Sequence, residues 1–348
     1  MPSSAIVHVA VFSVGAALGA GIAAGVASRK QAKAVAAPST ISGAQTSGTA
    51  PLQLQGPLIQ TSRVGGQGIM QLAPTVPSDV LRYGNPGPIS DLITRKAYVA
   101  GYDRRLRHPA WTAEHLTLAS LAKSAPKGDR SQSEFKEDAN IPVSFRARLQ
   151  DYYRSGYDRG HMVPAADAKA SQEAMDETFI LTNIAPQVGI GFNRHYWAYT
   201  EDWCRRLTNT FQDVFVFTIP LYLPKQDPDG KYRVTYEVIG NPPNVSVPTH
   251  FAKVVLGSRP SSPSTPQLAE VSLGAFVLPN AEIPDETPLT KFIVPVEAVE
   301  RAAGLALFSE EIKKSSKHIC QTAQCDVIVR RFDDAQQQTR KALPAPKK

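Results

Sequence analysis

No acidic residue occurs before Asp79, and this asymmetry divides the chain before any motif is read. The first 78 residues hold four basic side chains, Arg29, Lys30, Lys33 and Arg63, and no carboxylate. Within them, Ala5 to Ala27 runs for 23 residues without a charge and is followed at once by Arg29, Lys30 and Lys33. That length suffices to cross the hydrocarbon core of a bilayer, although the many Gly and Ala residues and His8 make it only weakly hydrophobic. Three readings are open. The acid-free, Ala- and Ser-rich composition favours a membrane anchor within a mitochondrial targeting region. A secretory signal peptide is the second, but the basic n-region is missing. The third, a buried apolar helix, has nothing globular beside it. Residues 1–33 are therefore assigned as an apolar targeting or membrane-anchor segment. Residues 34–78, rich in Ala, Pro, Ser, Thr, Gly and Gln, are assigned as a disordered linker.

The expected folded domain is 79–332, followed by a polar, basic tail over 333–348. A domain of that size can bury one large core. The chain carries a net charge of +7, but beyond residue 78 there are 34 basic against 31 acidic side chains. Bulk charge therefore does not argue for a nucleic-acid partner, whose footprint would be a clustered excess of cations. Three cysteines in 348 residues exclude a disulfide scaffold, and no repeat of solenoid period is found. Strands are expected at 97–102, 213–219, 232–239, 250–256 and 271–278, where β-branched and aromatic residues are bounded by Pro, Gly, Asn and Asp. Asp227-Pro228-Asp229-Gly230 marks a turn between two of them. Helices are expected at 144–154, 167–177, 193–209 and 296–303. Successive strands with helices elsewhere give an α+β fold with a mostly antiparallel central sheet and flanking helices.

The segment 156–201 carries the chemistry. Arg159 and His161 are two apart, so in an extended segment they share a face. A guanidinium that forks onto phosphate oxygens beside an imidazole that takes a proton from water suits a phosphodiester. The nearby cation disfavours imidazolium and keeps the ring basic. Gly160 between them permits a tight bend or a close approach to a ligand. The plainer reading of Arg159 is an ion pair with Asp158. On a helix, Asn193, Trp197 and Glu201 follow one another at single-turn intervals, and Glu201 leans back toward Asn193. The separation is too long for both to grip one ion. A magnesium held by the Asn193 carbonyl, with Glu201 on one of its waters, fits the spacing. Otherwise Asn193 is a helix N-cap and Glu201 a solvated carboxylate.

Three blocks, YDRGHM (157–162), AMDETFILTNIAPQ (174–187) and FNRHYWAYTE (192–201), together resemble the DNA/RNA non-specific endonucleases of the ββα-metal, or His-Me finger, type. The nearest branch is mitochondrial endonuclease G. Similarity continues through LYLPKQDPDGK (221–231), YEVIGNPPNVSVPTHFAKVVL (236–256), FVLPNAEIP (276–284) and PLTKFIVPVEAVERAAGLALF (288–308). The resemblance implies a ββα-metal nuclease fold. It also implies metal-dependent hydrolysis of DNA and RNA to 5′-phosphate ends, with Mg2+ as cofactor and Mn2+ as a substitute. On the matching positions, His161 is the general base and Arg159 binds the phosphate. Asn193 is the direct metal ligand, Glu201 contacts metal-bound water, and Asn183 supports the site. A homodimer at the mitochondrial inner membrane or in the intermembrane space is implied as well. The rival functions are an inactive relative that binds nucleic acid while tethered to a membrane, and a secreted nuclease.

Some positions depart from the family pattern. VGIGFN places Asn193 one residue further from APQ than expected. Ile219 stands where the family has glycine, so a local backbone change is expected there. The second phosphate arginine is left open among Arg130, Arg146 and Arg148. Cys320 and Cys325 lie beyond the matched region; their spacing allows a metal pair or a disulfide, and free thiols are the default if the compartment is reducing. Cys204 is expected to pack inside, and Trp197, Trp203, Tyr152 and Tyr153, which could stack bases, are expected to pack in the core.

Overall fold

The computed structural model describes residues 88–121, 128–264 and 267–329. The expected anchor segment 1–33, the expected linker 34–78 and the expected tail 333–348 lie outside the described residues. Among the described residues, no helix is long and apolar enough to cross a membrane.

Strands β1 (Ser90–Thr94), β2 (Tyr98–Asp103) and β3 (His108–Leu116) form an antiparallel meander. Strands β4 (Asp158–His161) and β5 (Ile184–Gln187) pair with each other, away from the main sheet. Strand β6 (Asp213–Leu221) returns to lie against β3. Two small ribbons follow: β7 (Lys225–Gln226) with β8 (Tyr232–Arg233), and β9 (Val238–Ile239) with β10 (Val245–Ser246). The long β11 (His250–Pro260) and β12 (Ala269–Pro279) complete the centre. Both β13 (Ile293–Val294) and β14 (Lys317–His318) pair with β12, the latter in parallel. The main sheet is thus ordered β1-β2-β3-β6-β11-β12-β13 and is otherwise antiparallel. The helices are α1 (Leu118–Leu121), α2 (Gln172–Thr178), α3 (Trp197–Arg206), α4 (Val296–Ala303), α5 (Glu310–Ser315) and α6 (Ile319–Thr322).

The apolar runs of β6, β11 and β12 have a simple cause: these strands are covered on both faces. Along β11, Phe251 and Val255 face a core built with Trp197, Trp203 and Phe192 of the α3 region. Ala252 and Val254 face the opposite layer with Val296 and Val299 of α4. Alternate residues point to opposite faces, so a strand buried on both faces is apolar nearly throughout, the buried Lys253 of β11 being held by Thr218 of β6. The sheet with helices on either side is the expected α+β architecture.

Several local expectations are corrected. Residues 144–154 are not an α-helix but two 3-10 turns, Val143–Phe145 and Leu149–Tyr152. The Tyr102 hydroxyl donates to Phe145 O at 3.0 Å and accepts from Ala147 N at 3.1 Å, and this holds the chain extended at Arg146. The helix expected over 167–177 shrinks to α2, capped by the Ser171 hydroxyl. The strand expected over 232–239 is split between β8 and β9. Strands β1 and β3 were not anticipated. Strand β6 passes through Ile219 in continuous register with Ala252, without the expected backbone change. Cys320 and Cys325 are joined in a disulfide rather than free, because the tight turn after α6 brings their Cα atoms to 5.3 Å. Cys204 is a buried free thiol.

The segment after α5 packs on α3. Trp203 Nε1 donates to Gln324 O at 2.9 Å and Arg206 donates to Asp326 O at 2.7 Å. Ile319 is fully buried in the same core as Trp203.

Candidate active site

The β4–β5 ribbon followed by the helix at 189–206 forms a ββα unit, and its side chains build the site. Arg159 and His161 do share a face of β4, because both meet the ring of Phe135. The Arg159 guanidinium carbon stands 4.2 Å from the ring centroid, and the imidazole centroid stands 5.5 Å from it. Phe179 closes the other side of the imidazole edge-on at 4.7 Å. His161 is buried, and its Nε2 has no hydrogen-bond partner. Burial, with the Arg130 charge second, lowers its pKa to about 3, so the ring is neutral at physiological pH. Arg159 is exposed and forms no ion pair among the described residues. Asp158 pairs instead with Arg194, at 2.6 Å, which removes the plainer reading of Arg159. Gly160 is required by the ribbon itself, since a Cβ there would collide with the Gln187 side chain across the pair.

Asn183 is wholly buried just before β5. Its Oδ1 accepts from Val163 N at 3.0 Å, and its Nδ2 donates to Val163 O and Thr178 O, both at 2.9 Å. Its own carbonyl accepts from Met162 N at 2.9 Å. The side chain thus ties down the chain leaving His161. Its partners are protein backbone, and nothing of it faces the cavity.

Asn193 does not cap the helix. It lies within a wide turn over Gly189–Tyr196, where its N–H bonds Val188 O at 2.9 Å, five residues back. The extra residue of VGIGFN is housed here, with Gly191 at φ 79°. Such wide turns recur at functional sites. His195 Nδ1 accepts from Gly191 N at 2.9 Å and fixes the turn. Asn193 Nδ2 donates to Asp158 at 2.9 Å. A carboxylate only accepts, so this contact orients the amide and leaves Oδ1 free to accept. Burial pushes the Asp158 carboxyl up, but hydrogen bonds from Arg194 and Asn193 outweigh it and hold it below its usual range.

Glu201 lies on α3, half-buried. Burial raises its pKa to about 7, against the opposing charges of Lys253 and Arg205. These cations belong to a buried network. Lys253 Nζ donates to Thr218 at 2.7 Å, lies 4.0 Å from Glu114 and sits 5.1 Å from the Trp197 ring. Arg205 bonds Asp167 at 2.7 Å. Burial also holds Glu114 well above the usual carboxylate range.

A cavity of about 540 Å³ opens beside the ribbon. Arg159 and Asn193 line it, with Arg130, Arg154 and Phe135. His161 adjoins it through Phe135. Glu201 does not line it but feels the charge of Arg130, as His161 does. Of the three arginines left open, Arg130 is the one at the cavity. Arg146 is spent on the carbonyls of Ala139 and Ile141. Arg154 and Lys253 were not anticipated. The only sequence sign of Lys253 is a lone cation inside the apolar run FAKVVL.

The model of the DNA/RNA non-specific endonuclease family matches residues 76–313. The chain is 50% identical over 276 residues to the mitochondrial nuclease of Saccharomyces cerevisiae, covering 78% of this chain and 83% of that one. It is 52% identical over 260 residues to a mitochondrial nuclease of Schizosaccharomyces pombe, covering 75% and 79%. A solved EndoG/EndoGI complex contains a similar chain, with TM-score 0.61 and 46% identity over 69% of this chain and 94% of that one. With its ββα unit and its sequence thus matched, the chain belongs to the DNA/RNA non-specific endonuclease family, in the endonuclease G branch.

Proposed function

We propose that the protein is a sugar-non-specific endonuclease that hydrolyses DNA and RNA to 5′-phosphate ends with Mg2+, for which Mn2+ substitutes. One observation carries this reading: a neutral, unpartnered His161 Nε2 and an unpaired Arg159 meet on one ring at the edge of a cavity that also takes Asn193. The residues fit a metal that keeps most of its waters. Among the described residues, no group of three or more His, Cys, Asp or Glu could hold an ion, whereas Asn193 offers one free carbonyl oxygen. Magnesium accepts few protein ligands. Asn193 Oδ1 would hold it directly and Glu201 through a water, and its charge would stabilise the developing negative charge on phosphate.

His161 takes the proton from the attacking water. Arg159 and Arg130 hold the phosphate oxygens. The bond from phosphorus to the 3′-oxygen breaks, which leaves the phosphate on the 5′ side. Asn183 positions the segment that carries the base, and the Lys253 network positions α3.

The full chain, with residues 79–332 as its nuclease domain, is placed at the mitochondrial inner membrane, facing the intermembrane space. There the 1–33 segment anchors it, and it acts as a homodimer. Fractionation of tagged protein, with mass measurement of the mature N-terminus and of the oligomer, tests this placement. The activity is tested on supercoiled plasmid and on RNA. Wild type should cleave both with Mg2+ and neither with EDTA, and His161→Ala should lose at least about 100-fold in rate while remaining folded. Equal cleavage by the variant overturns the assignment of the base. A folded wild type that binds DNA without cutting it overturns the enzymatic reading.

A further inference from the structure

The cavity holds more than a phosphate needs. Among the described residues its wall carries four arginines and four aromatic rings, and its only amide and only carboxyl, Asn193 and Asp158, bond each other. Such a wall recognises phosphates and ring faces rather than base edges. Tyr152 and Tyr153, adjacent in sequence, take opposite parts. Tyr152 is buried among Ile239, Val245 and Leu181. Tyr153 is 63% exposed in the cavity wall.

Exposure of one aromatic ring is ordinary, but this ring is held. The turn beneath it is bonded: Ser155 N and Oγ both donate to Tyr152 O, at 3.3 and 3.0 Å, and Ser155 Oγ accepts from Tyr157 N at 3.2 Å. Arg154 occupies the left-handed region at φ 53°, a conformation unfavourable for a side chain of its size. In that conformation its guanidinium carbon lies 5.1 Å from the Tyr153 ring centroid. The cation covers one face of the ring, and no other aromatic ring among the described residues meets the second.

We propose that Tyr153, backed by Arg154, is a base-stacking ledge that takes the nucleobase of an unpaired nucleotide whose phosphate lies at Arg159. Every base has a ring face, so the ledge adds affinity without sequence preference. The cation on the far side holds the ring in place and strengthens its hold on a base that stacks opposite. This inference rests on the nuclease reading above.

The test uses the full chain and short single-stranded oligodeoxynucleotides. One strand is intact, and a series carries a single abasic residue stepped along the strand. Binding is read by anisotropy in EDTA, and cleavage by KM and kcat in Mg2+. Tyr153→Ala should weaken binding of the intact strand by about 5- to 150-fold, the range for one lost stacked base. KM should rise with kcat little changed, and Tyr153→Phe should retain wild-type values. On the strand whose abasic residue falls at the ledge, wild type and Tyr153→Ala should bind alike. Because Tyr153 is largely exposed, the unfolding midpoint of the variant should match that of wild type. Wild-type cleavage together with unchanged intact-strand affinity in Tyr153→Ala overturns the ledge alone. So does an equal loss at every abasic position. A wild type that neither binds nor cleaves any strand overturns the nuclease reading and the ledge with it.

Discussion

Replacing Asn183 by Asp changes one NH2 group into an oxygen at constant shape, and the consequence can be worked from three hydrogen bonds. The acceptor half survives, since an Asp oxygen still faces Val163 N. The donor half is lost, and an oxygen now faces the carbonyls of Val163 and Thr178, each 2.9 Å away in the native structure. Each buried polar group left without a partner costs about 1–3 kcal/mol, so the charged form loses about 2–6 kcal/mol. A protonated Asp regains one donor and cuts the loss to about 1–3 kcal/mol. Burial and two facing carbonyls raise the folded-state pKa of this Asp above its unfolded value of about 3.9. Below about pH 4 both states are protonated and the penalty is smallest. As pH rises toward the folded pKa the unfolded chain ionises first, stability falls by about 1.4 kcal/mol per unit, and above the folded pKa it levels off. Urea unfolding from pH 4 to 8, compared with wild type and with Asn183→Ala, reads this directly. The Ala variant should be destabilised without that added pH slope. A stability for Asn183→Asp within about 1 kcal/mol of wild type at pH 7, or a deficit constant from pH 4 to 8, refutes the account of Asn183 as the tie that fixes the His161 segment.

Reduction should act on the C-terminal segment. Closing the short loop between Cys320 and Cys325 stabilises the fold by about 2 kcal/mol in a chain-entropy account, so wild type should lose that amount in dithiothreitol. The Cys320→Ser, Cys325→Ser double variant should be insensitive to reductant, and an equal response of both would sink the prediction. Glu201 gives a second pH signature in metal-free protein. Its folded pKa of about 7 lies above the ordinary value of 4.5, so stability should fall as pH rises between these values, by at most about 3 kcal/mol. Glu201→Gln should reduce the slope measured by urea unfolding in EDTA, with Glu114, raised as well, keeping its own part, and an unchanged slope would assign it wholly to other groups.

What could be read from the sequence, and what could not, follows the range of the interactions. Helix α4 is found at the expected residues, and β11 and β12 contain the expected strands, because each is specified by its own apolar pattern. Strand β3 escapes because His108, Thr112 and Glu114 are buried within it, and buried polar residues break the alternation by which a strand is recognised. The helix expected at 144–154 fails because the Tyr102 hydroxyl, more than 40 residues earlier, bonds both Phe145 O and Ala147 N. At the site, Arg159, His161 and Asn193 stand in local motifs and are legible as candidates. Arg130 meets them only in space, across the shared cavity and through the Phe179 ring, which lies 5.5 Å from its guanidinium and also packs on His161. Lys253 owes its place to Thr218 and Trp197 on other elements. Neither link leaves a local pattern.

Because of the segment that packs on α3, the folded domain runs past the stretch that the family model matches. The family match ends at residue 313, yet Ile319 fills the core beside Trp203, and two backbone carbonyls beyond residue 323 satisfy donors of the helix that bears Glu201. A chain cut at residue 313 would bare Trp203 and leave its indole N–H and the Arg206 guanidinium to water. The residues beyond the matched stretch are therefore not an appendage but the last course of the domain's wall.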